Sequence, residues 1–415
     1  MIRSRSETGL NQMGDGKYIR KHRPDYVIVI LSTILLAAGL VVMYSISPAL
    51  AAQGGSVSDS YFVTRQFIAI IMGIVVFFIV SKIPIVKWLK WKKPLLISSF
   101  VLSVATILSG GIANRWIQFG VFSFQPVELV KFVLVVLLAG FLADLVKRGK
   151  MTDLVSLRPL IIVTTLFGLV IVILQRDLGS AIVLAGIMAI IAFMAGLPMK
   201  RLVLFGLALM VMLGLAISST QYRRDRFMTF MNPERDCANQ GYHACQALIA
   251  VGSGGVVGLG LGRSVQAYGY LPEAENDSIF AIFAEKFGFV GVVTLLGVLG
   301  ALLIRILNVM RRAPSLYTQL VCTGVFAWLA IQSLINISAM VGLIPLKGIT
   351  LPFVSYGGTS IIFAMAALGL VFYISAYTSS RVSNFSANNE RLSDEDNSHW
   401  RGNGRSRYAV TRRSI

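Results

Sequence analysis

Apolar runs of about twenty residues recur along the whole chain, separated by short polar loops. A helix that crosses the hydrocarbon core of a bilayer needs about 20 such residues. The runs fall at roughly 26–46, 62–81, 94–110, 126–146, 159–175, 178–196, 201–218, 278–304, 316–342 and 356–377. Hydrophobic residues make up 55% of the chain and charged residues 14%, against about 25% charged in soluble domains. The expected fold is an all-α polytopic membrane protein of about ten transmembrane helices. A basic N-terminal tail covers 1–25, the membrane domain 26–377, and a disordered cytoplasmic C-terminal tail 378–415.

Charge orients the spans. The net charge is +19, from 38 Lys and Arg against 19 Asp and Glu. Lys82, Lys87, Lys90, Lys92 and Lys93 follow the second run, and Lys147, Arg148 and Lys150 follow the fourth. Lys200 and Arg201 follow the sixth run, and Arg311 and Arg312 the eighth, whereas 47–60 holds no Lys or Arg. Cytoplasmic loops carry the basic excess, so both tails are expected inside. Trp88 and Trp91 among the lysines read as interfacial anchors. The same distribution argues against nucleic acid, which would need a basic face on a folded domain. The N-terminus lacks the apolar core of a cleaved signal peptide. One long outer loop, 219–277, lies between spans seven and eight, and loops of that length are usually functional.

Several chemistries find no motif. There is no phosphate-loop signature and no H-E-x-x-H zinc pair. With only His22, His243 and His399 present, an outer-face Ser-His-Asp triad would rest on His243 alone. The glycine run from Gly252 to Gly262 fails the dinucleotide spacing and reads as flexible or tightly packed backbone. Cys322 lies in an apolar run and reads as packing. Cys237 and Cys245, with seven residues between them in the outer loop, are expected to form a small disulfide, two free thiols being the alternative.

Four polar segments interrupt the apolar pattern. Gly111 to Trp116 includes Arg115, and Gln125-Pro126 then opens a helix carrying Glu128 and Lys131. That pair is spaced i and i+3, on one helical face. It reads either as a structural ion pair or as part of a wet cavity. Gln175 to Ser180 is a hairpin turn, or else Asp177 partners a nearby cation. Tyr270 to Asp277 holds Glu273, Glu275 and Asp277 where the outer loop returns to the membrane. Asp277 there is either a helix cap or a base. Gly342 to Ser360 has two prolines and four glycines, with Lys347, Ser355 and Tyr356. Irregular backbone at membrane depth persists only inside protein or along a wet cavity, and Lys347 reads as a phosphate ligand or a surface cation.

Taken in order, Arg115-Trp116, Gln125-Pro126 with Glu128, Tyr270-Leu271-Pro272-Glu273 with Asp277, and Ser355-Tyr356-Gly357-Gly358 resemble the SEDS family of bacterial cell-wall polymerases. This is the group containing FtsW, RodA and SpoVE, and the resemblance covers roughly 26–377. Lys347 to Pro352 looks closest to the FtsW branch. The chain has Arg176 where the family usually has Pro, His243 for Gln, Ala267 for Lys, and Glu275-Asn276-Asp277-Ser278 for His-Thr-Asp-Phe. The resemblance implies a peptidoglycan glycosyltransferase that joins lipid II into glycan strands on the outer face of the cytoplasmic membrane, at the division septum. It implies Asp277 as catalytic base. Arg115, Trp116, Gln125, Glu128, Lys131, Asp177, Glu273, Lys347, Ser355 and Tyr356 are then expected at the substrate, with Arg223, Arg224 and Arg226 as further cations. A Mg or Mn ion near Asp277 and no organic cofactor are expected. The implied partners are lipid II, undecaprenyl-linked glycan, a class B penicillin-binding transpeptidase (FtsI-like) and other divisome membrane proteins. A RodA-like elongation polymerase, a lipid II flippase or transporter, and a non-catalytic scaffold are the competing readings. A transporter would spread polar residues along a midplane path, whereas here they gather toward the outer ends of the spans.

Overall fold

The computed structural model describes residues 12–13, 17–54, 58–108, 115–119, 122–151, 153–218, 237–239, 241–346 and 348–381, with residues 221, 224, 228 and 230 between. Two units are distinct, 1–22 with 378–415 and 23–377. In the first, β1 (Gln12–Met13) and β2 (Lys17–Lys21) pair antiparallel, and β2 neighbours the strand Tyr377–Arg381. The start of the C-terminal tail, expected to be disordered, is thus a strand. Residues 382–415 lie outside the described residues.

The second unit is helical. Its elements are α1 (Tyr26–Gly54), α2 (Tyr61–Lys82), α3 (Ile85–Lys90), α4 (Lys92–Leu108), α5 (Pro126–Lys147), α6 (Leu154–Leu169), α7 (Leu178–Met194), α8 (Met199–Ser218), α9 (Tyr242–Ser253), α10 (Ile279–Arg312), α11 (Leu316–Met340) and α12 (Gly358–Ser375). A π turn, Val170–Leu174, extends α6. A hairpin of β3 (Ile117–Phe119) and β4 (Phe122–Phe124) precedes α5. Each of the ten apolar runs is occupied by a helix. Among the described residues seven of these, α1, α2, α5, extended α6, α10, α11 and α12, are long and apolar enough to cross a membrane, and α7 is a shorter apolar helix. The most enclosed are α11 and α12, with α2, α5, α7 and α10 packed around them. Large apolar side chains on α8, such as Leu204 and Met210, are exposed, as lipid-facing residues would be.

Two readings of the membrane edge change. Trp88 does not anchor at the interface. It is buried, and its ring lies 5.2 Å from that of Phe132 on α5, while Trp91 is the exposed member of the pair. The second change concerns α10. At 34 residues it would be about 51 Å long if straight, well beyond a hydrocarbon core of about 30 Å. It is not straight: Gly288 has φ 62° and ψ −164° and breaks the helix. Before the break, Ile279 to Lys286 are all buried; after it, Phe289, Val290 and Val293 are exposed. The segment 279–287 is therefore enclosed by protein, and lipid-facing character begins at Phe289.

The glycine run of the outer loop repairs this break. Leu259 and Gly260 donate to the carbonyls of Glu285 and Lys286, and Phe289 and Val290 donate to those of Gly255 and Val256, at 2.9–3.0 Å. A broken helix inside a membrane needs such substitutes for its lost bonds. Of the two readings of this run, tightly packed backbone is the one observed. At Gly258, φ is +84° and a Cβ would lie 2.2 Å from the Lys286 carbonyl. Gly258→Ala is expected to destabilise the protein by more than about 1 kcal/mol. Gly262→Ala, in open space, is expected to be neutral. Thermal unfolding of the two detergent-purified variants checks this, and equal melting temperatures would contradict it.

Cys237 and Cys245 are disulfide-bonded, and Cys322 is buried. The native cysteines are thus poorly reactive, which permits a topology test. With the expected orientation, a membrane-impermeant thiol reagent added outside labels Arg263→Cys, an exposed position of the outer loop, and not Lys90→Cys. The opposite labelling would invert the topology.

Candidate active site

The carboxylate segment is shaped by its own backbone. Glu273 takes a left-handed conformation, φ 51°. Its carbonyl accepts from the amides of Asn276 (3.0 Å) and Ser278 (3.2 Å), and its Oε2 accepts from Asn276 Nδ2 at 2.6 Å. Ser278 occupies the N-cap of α10, so Asp277 is not the helix cap. The Ser278 hydroxyl donates to the Pro272 carbonyl at 3.0 Å and lies 2.7 Å from His243 Nε2. With its proton so placed, the fully buried Ser278 hydroxyl accepts from His243, which is half-buried. Asp277 is also buried. A Cβ built on Gly348 would lie 3.7 Å from Asp277 Oδ2, which sets the carboxylate against the loop between α11 and α12.

That loop is held to the carboxylate segment at two points. Tyr356 N–H donates to the Glu275 carbonyl at 2.8 Å. Asn336 Nδ2 donates to both the Asp277 carbonyl (2.7 Å) and the Ile349 carbonyl (2.6 Å). The Ser355 hydroxyl accepts from Leu351 N–H at 2.7 Å, and the Ser355 carbonyl accepts from Gln66 Nε2 at 3.3 Å. Burial pushes the Glu275 carboxyl above its usual range, and the charge of Glu273 adds to this. Burial likewise raises the Tyr356 hydroxyl, which Arg65 partly offsets.

The ion pair lies elsewhere in the same network. Lys131 Nζ is 2.8 Å from Glu128 Oε1 and 2.8 Å from Gln332 Oε1, and both members are almost fully buried. Gln332 Oε1 also accepts from Trp328 Nε1 (2.8 Å), and its Nε2 donates to the Thr350 carbonyl (3.0 Å) and hydroxyl (3.2 Å). Trp328, Gln332 and Asn336 are spaced i, i+4, i+8, so they form one stripe along α11. They link the α5 ion pair to the loop and to Asp277. Sequence reasoning passed over this stripe. Its signal was two long amide side chains four residues apart inside an apolar span, where polar groups face the protein interior.

The remaining expected residues divide. Gln125 N–H donates to Thr359 Oγ1 at 3.3 Å, and Thr359 donates to the Ser123 carbonyl at 2.9 Å, tying the hairpin to α12. Arg115 lies apart from Asp177 chemically: its Nε and Nη2 donate to the carbonyls of Gln175 (3.1 Å) and Arg176 (2.8 Å). Asp177 caps α7, its two oxygens accepting from Ser180 N–H (3.0 Å) and hydroxyl (2.8 Å). The turn reading of this segment therefore accounts for it. Trp116 is half-buried at the head of β3. Lys347, Arg223, Arg226 and 111–114 lie outside the described residues, and Arg224 is exposed. Glu285, which hydropathy placed in the membrane, accepts from Val265 N–H, Gln266 N–H and the Ser264 hydroxyl and anchors that turn. Among the described residues no three His, Cys, Asp or Glu side chains converge as metal ligands.

The sequence profile of the FtsW, RodA and SpoVE family, described as "Cell cycle protein", matches residues 25–380. The chain belongs to this family. Within the FtsW/RodA/SpoVE family it is similar to stage V sporulation protein E of Bacillus subtilis, 36% identical over 371 residues, covering 86% of this chain and 99% of that protein. A probable peptidoglycan glycosyltransferase FtsW of Nitrosomonas europaea is 37% identical over 368 residues, covering 85% and 93%. Among solved structures, a chain of a peptidoglycan synthase complex described for coordination of polymerization and crosslinking aligns with TM-score 0.70 at 28% identity, covering 85% of this chain and 97% of that one. The rod shape determining protein RodA of Thermus thermophilus aligns with TM-score 0.61 at 27% identity, covering 85% and 96%. This FtsW/RodA/SpoVE member is accordingly a multi-pass membrane protein whose four motif segments fall within the matched region.

Proposed function

We propose that this protein is an FtsW-like peptidoglycan glycosyltransferase that polymerises lipid II at the outer face of the cytoplasmic membrane, in septal wall synthesis. The observation that carries the chemistry is Asp277: a buried carboxylate, not used as a cap, held where the outer loop, α11 and the α11–α12 loop meet. Its relatives' names supply the reaction class.

In the proposed step the 4-hydroxyl of the acceptor N-acetylglucosamine attacks the muramyl C1 of the donor glycan. The C1–O bond to undecaprenyl pyrophosphate breaks with inversion, its electron pair leaves with the phosphate oxygen, and Asp277 takes the hydroxyl proton. The phosphate charge needs a cation. Arg115 and Lys131 are engaged by carbonyl and amide oxygens. We assign this task to Lys347, which adjoins Gly348 in sequence. No step is routed through a metal. A class B penicillin-binding transpeptidase and other division membrane proteins are the partners assigned to it, at the septum.

The test is polymerisation of purified lipid II by the full chain in nanodiscs, with and without its cognate class B transpeptidase. Glycan ladders that depend on this chain are expected. No polymer with the partner present, or lipid II translocation instead, would overturn the reading.

A further inference from the structure

The stripe on α11 has a member that the chemistry above leaves without a task. Asn336 is almost fully buried, and it lies four residues from Gln332 on the same face. Its Nδ2 reaches two main-chain carbonyls that belong to different segments, Asp277 at 2.7 Å and Ile349 at 2.6 Å. Two acceptors on one side fix the amide orientation, since an oxygen there would face two oxygens. The Oδ1 on the other side is buried without a hydrogen-bond partner. An unmet acceptor is unfavourable by about 1–3 kcal/mol, so the side chain is held by what its NH₂ group does. Leu or Met would fill an apolar span without that penalty.

The consequence of the double bond is geometric. Asp277 precedes α10 and is not its cap, so the helix alone does not fix it. Ile349 directly follows Gly348, and Gly348 is the position that faces the Asp277 carboxylate. Asn336 thus pins the carboxylate's own backbone to the loop wall opposite it. We infer that Asn336 is a positioning residue for Asp277, fixing the carboxylate relative to the α11–α12 loop through paired bonds to the Asp277 and Ile349 carbonyls. This rests on the reading of Asp277 as base. Asn336 touches neither substrate nor the transferred proton. It acts by holding Asp277 in line, and a displacement of about 1 Å at such a group can lower a rate about a hundredfold.

Two variants test this in the full chain, in nanodiscs with lipid II as the probe. Asn336→Leu removes both bonds. It is expected to lower kcat about 10- to 100-fold, with KM for lipid II within about threefold of wild type. Asn336→Asp keeps the shape. Ionised, it has no donor for either carbonyl; protonated, it has one. Its rate relative to wild type is therefore expected to rise as pH falls, with Glu273, Glu275 and Asp277 the carboxylates of the segment it faces. A role in packing alone would leave that ratio flat. If Asn336→Leu fails to accumulate, the Asp variant decides. The inference is overturned if both variants keep kcat within twofold, if KM alone changes, or if the ratio for Asn336→Asp is independent of pH. Asp277→Asn run in parallel separates the two failures. An active Asp277→Asn removes the base reading, whereas an inactive one beside fully active Asn336 variants removes only the positioning role.

Discussion

Asp277→Asn is expected to lower glycan synthesis by about a hundredfold to ten-thousandfold, the range for loss of a general base, while the protein still folds and inserts. The structure sharpens this expectation. Ser278 holds the N-cap of α10, and Asn336 binds the main-chain carbonyl of residue 277 rather than its carboxylate. Asn at 277 keeps both arrangements while replacing the basic oxygen. Glu273→Gln is expected to have a smaller effect, because Glu273 orders the segment largely through its carbonyl. Polymerisation rate with lipid II, beside the melting temperature of each variant, measures the difference. An Asp277→Asn protein that polymerises at near wild-type rate would make Asp277 a structural carboxylate and remove the mechanism.

The second large effect is expected at the buried ion pair. Lys131→Ala strands the Glu128 carboxylate, of which Oε2 already has no hydrogen-bond partner. Removing one partner of a buried pair destabilises by about 3–5 kcal/mol. It also takes away the cation that shares Gln332 Oε1 with Trp328, and Gln332 in turn holds Thr350. Both stability and polymerisation are therefore expected to fall. Glu128→Ala leaves the Lys131 ammonium with Gln332 and the Trp328 ring but no counter-charge, and is expected to act in the same direction. The double variant is expected to be no worse than the worse single one. Losses that multiply would show that the two side chains act independently.

Hydropathy placed the helices because lipid contact demands long apolar runs whatever the tertiary packing. It misplaced the start of the eighth span for the same reason. Ile279 to Phe287 are apolar because protein encloses them, and Phe289 onward because lipid does, and a hydropathy scale cannot separate the two. The glycine run was legible as flexible or tightly packed backbone, but not which of the two or which break it fills, since that depends on φ at Gly288. The carboxylate segment and the Ser355-Tyr356 loop stood out through their polarity, and the structure joins them. Their joint, Asn336, lay inside an apolar run where one amide draws little attention. Asp177 illustrates the opposite case: of its two readings, turn or partner of a cation, the structure shows the turn, with both carboxylate oxygens engaged by Ser180.

With Asp277 as the proposed base, the length and bend of α10 set how high above the lipid the chemistry takes place. Arg305 on α10 lies 3.8 Å from Asp25, which precedes α1, and with the expected orientation a charged pair there belongs at the inner edge of the hydrocarbon. About 20 residues of helix span the core, which puts its outer edge near Glu285. From there Asp277 is eight residues farther along the chain, about 12 Å at the helical rise of 1.5 Å per residue, and the bend in α10 shortens this. That brings it to the outer rim of the head-group layer, which is about 5–8 Å deep. A pyrophosphate tethered to a polyprenyl tail reaches this level without its tail leaving the bilayer. The membrane then acts as a ruler: it presents the bond next to the anchor, keeps the spent carrier in the plane, and leaves water as the only direction in which a lengthening glycan can grow.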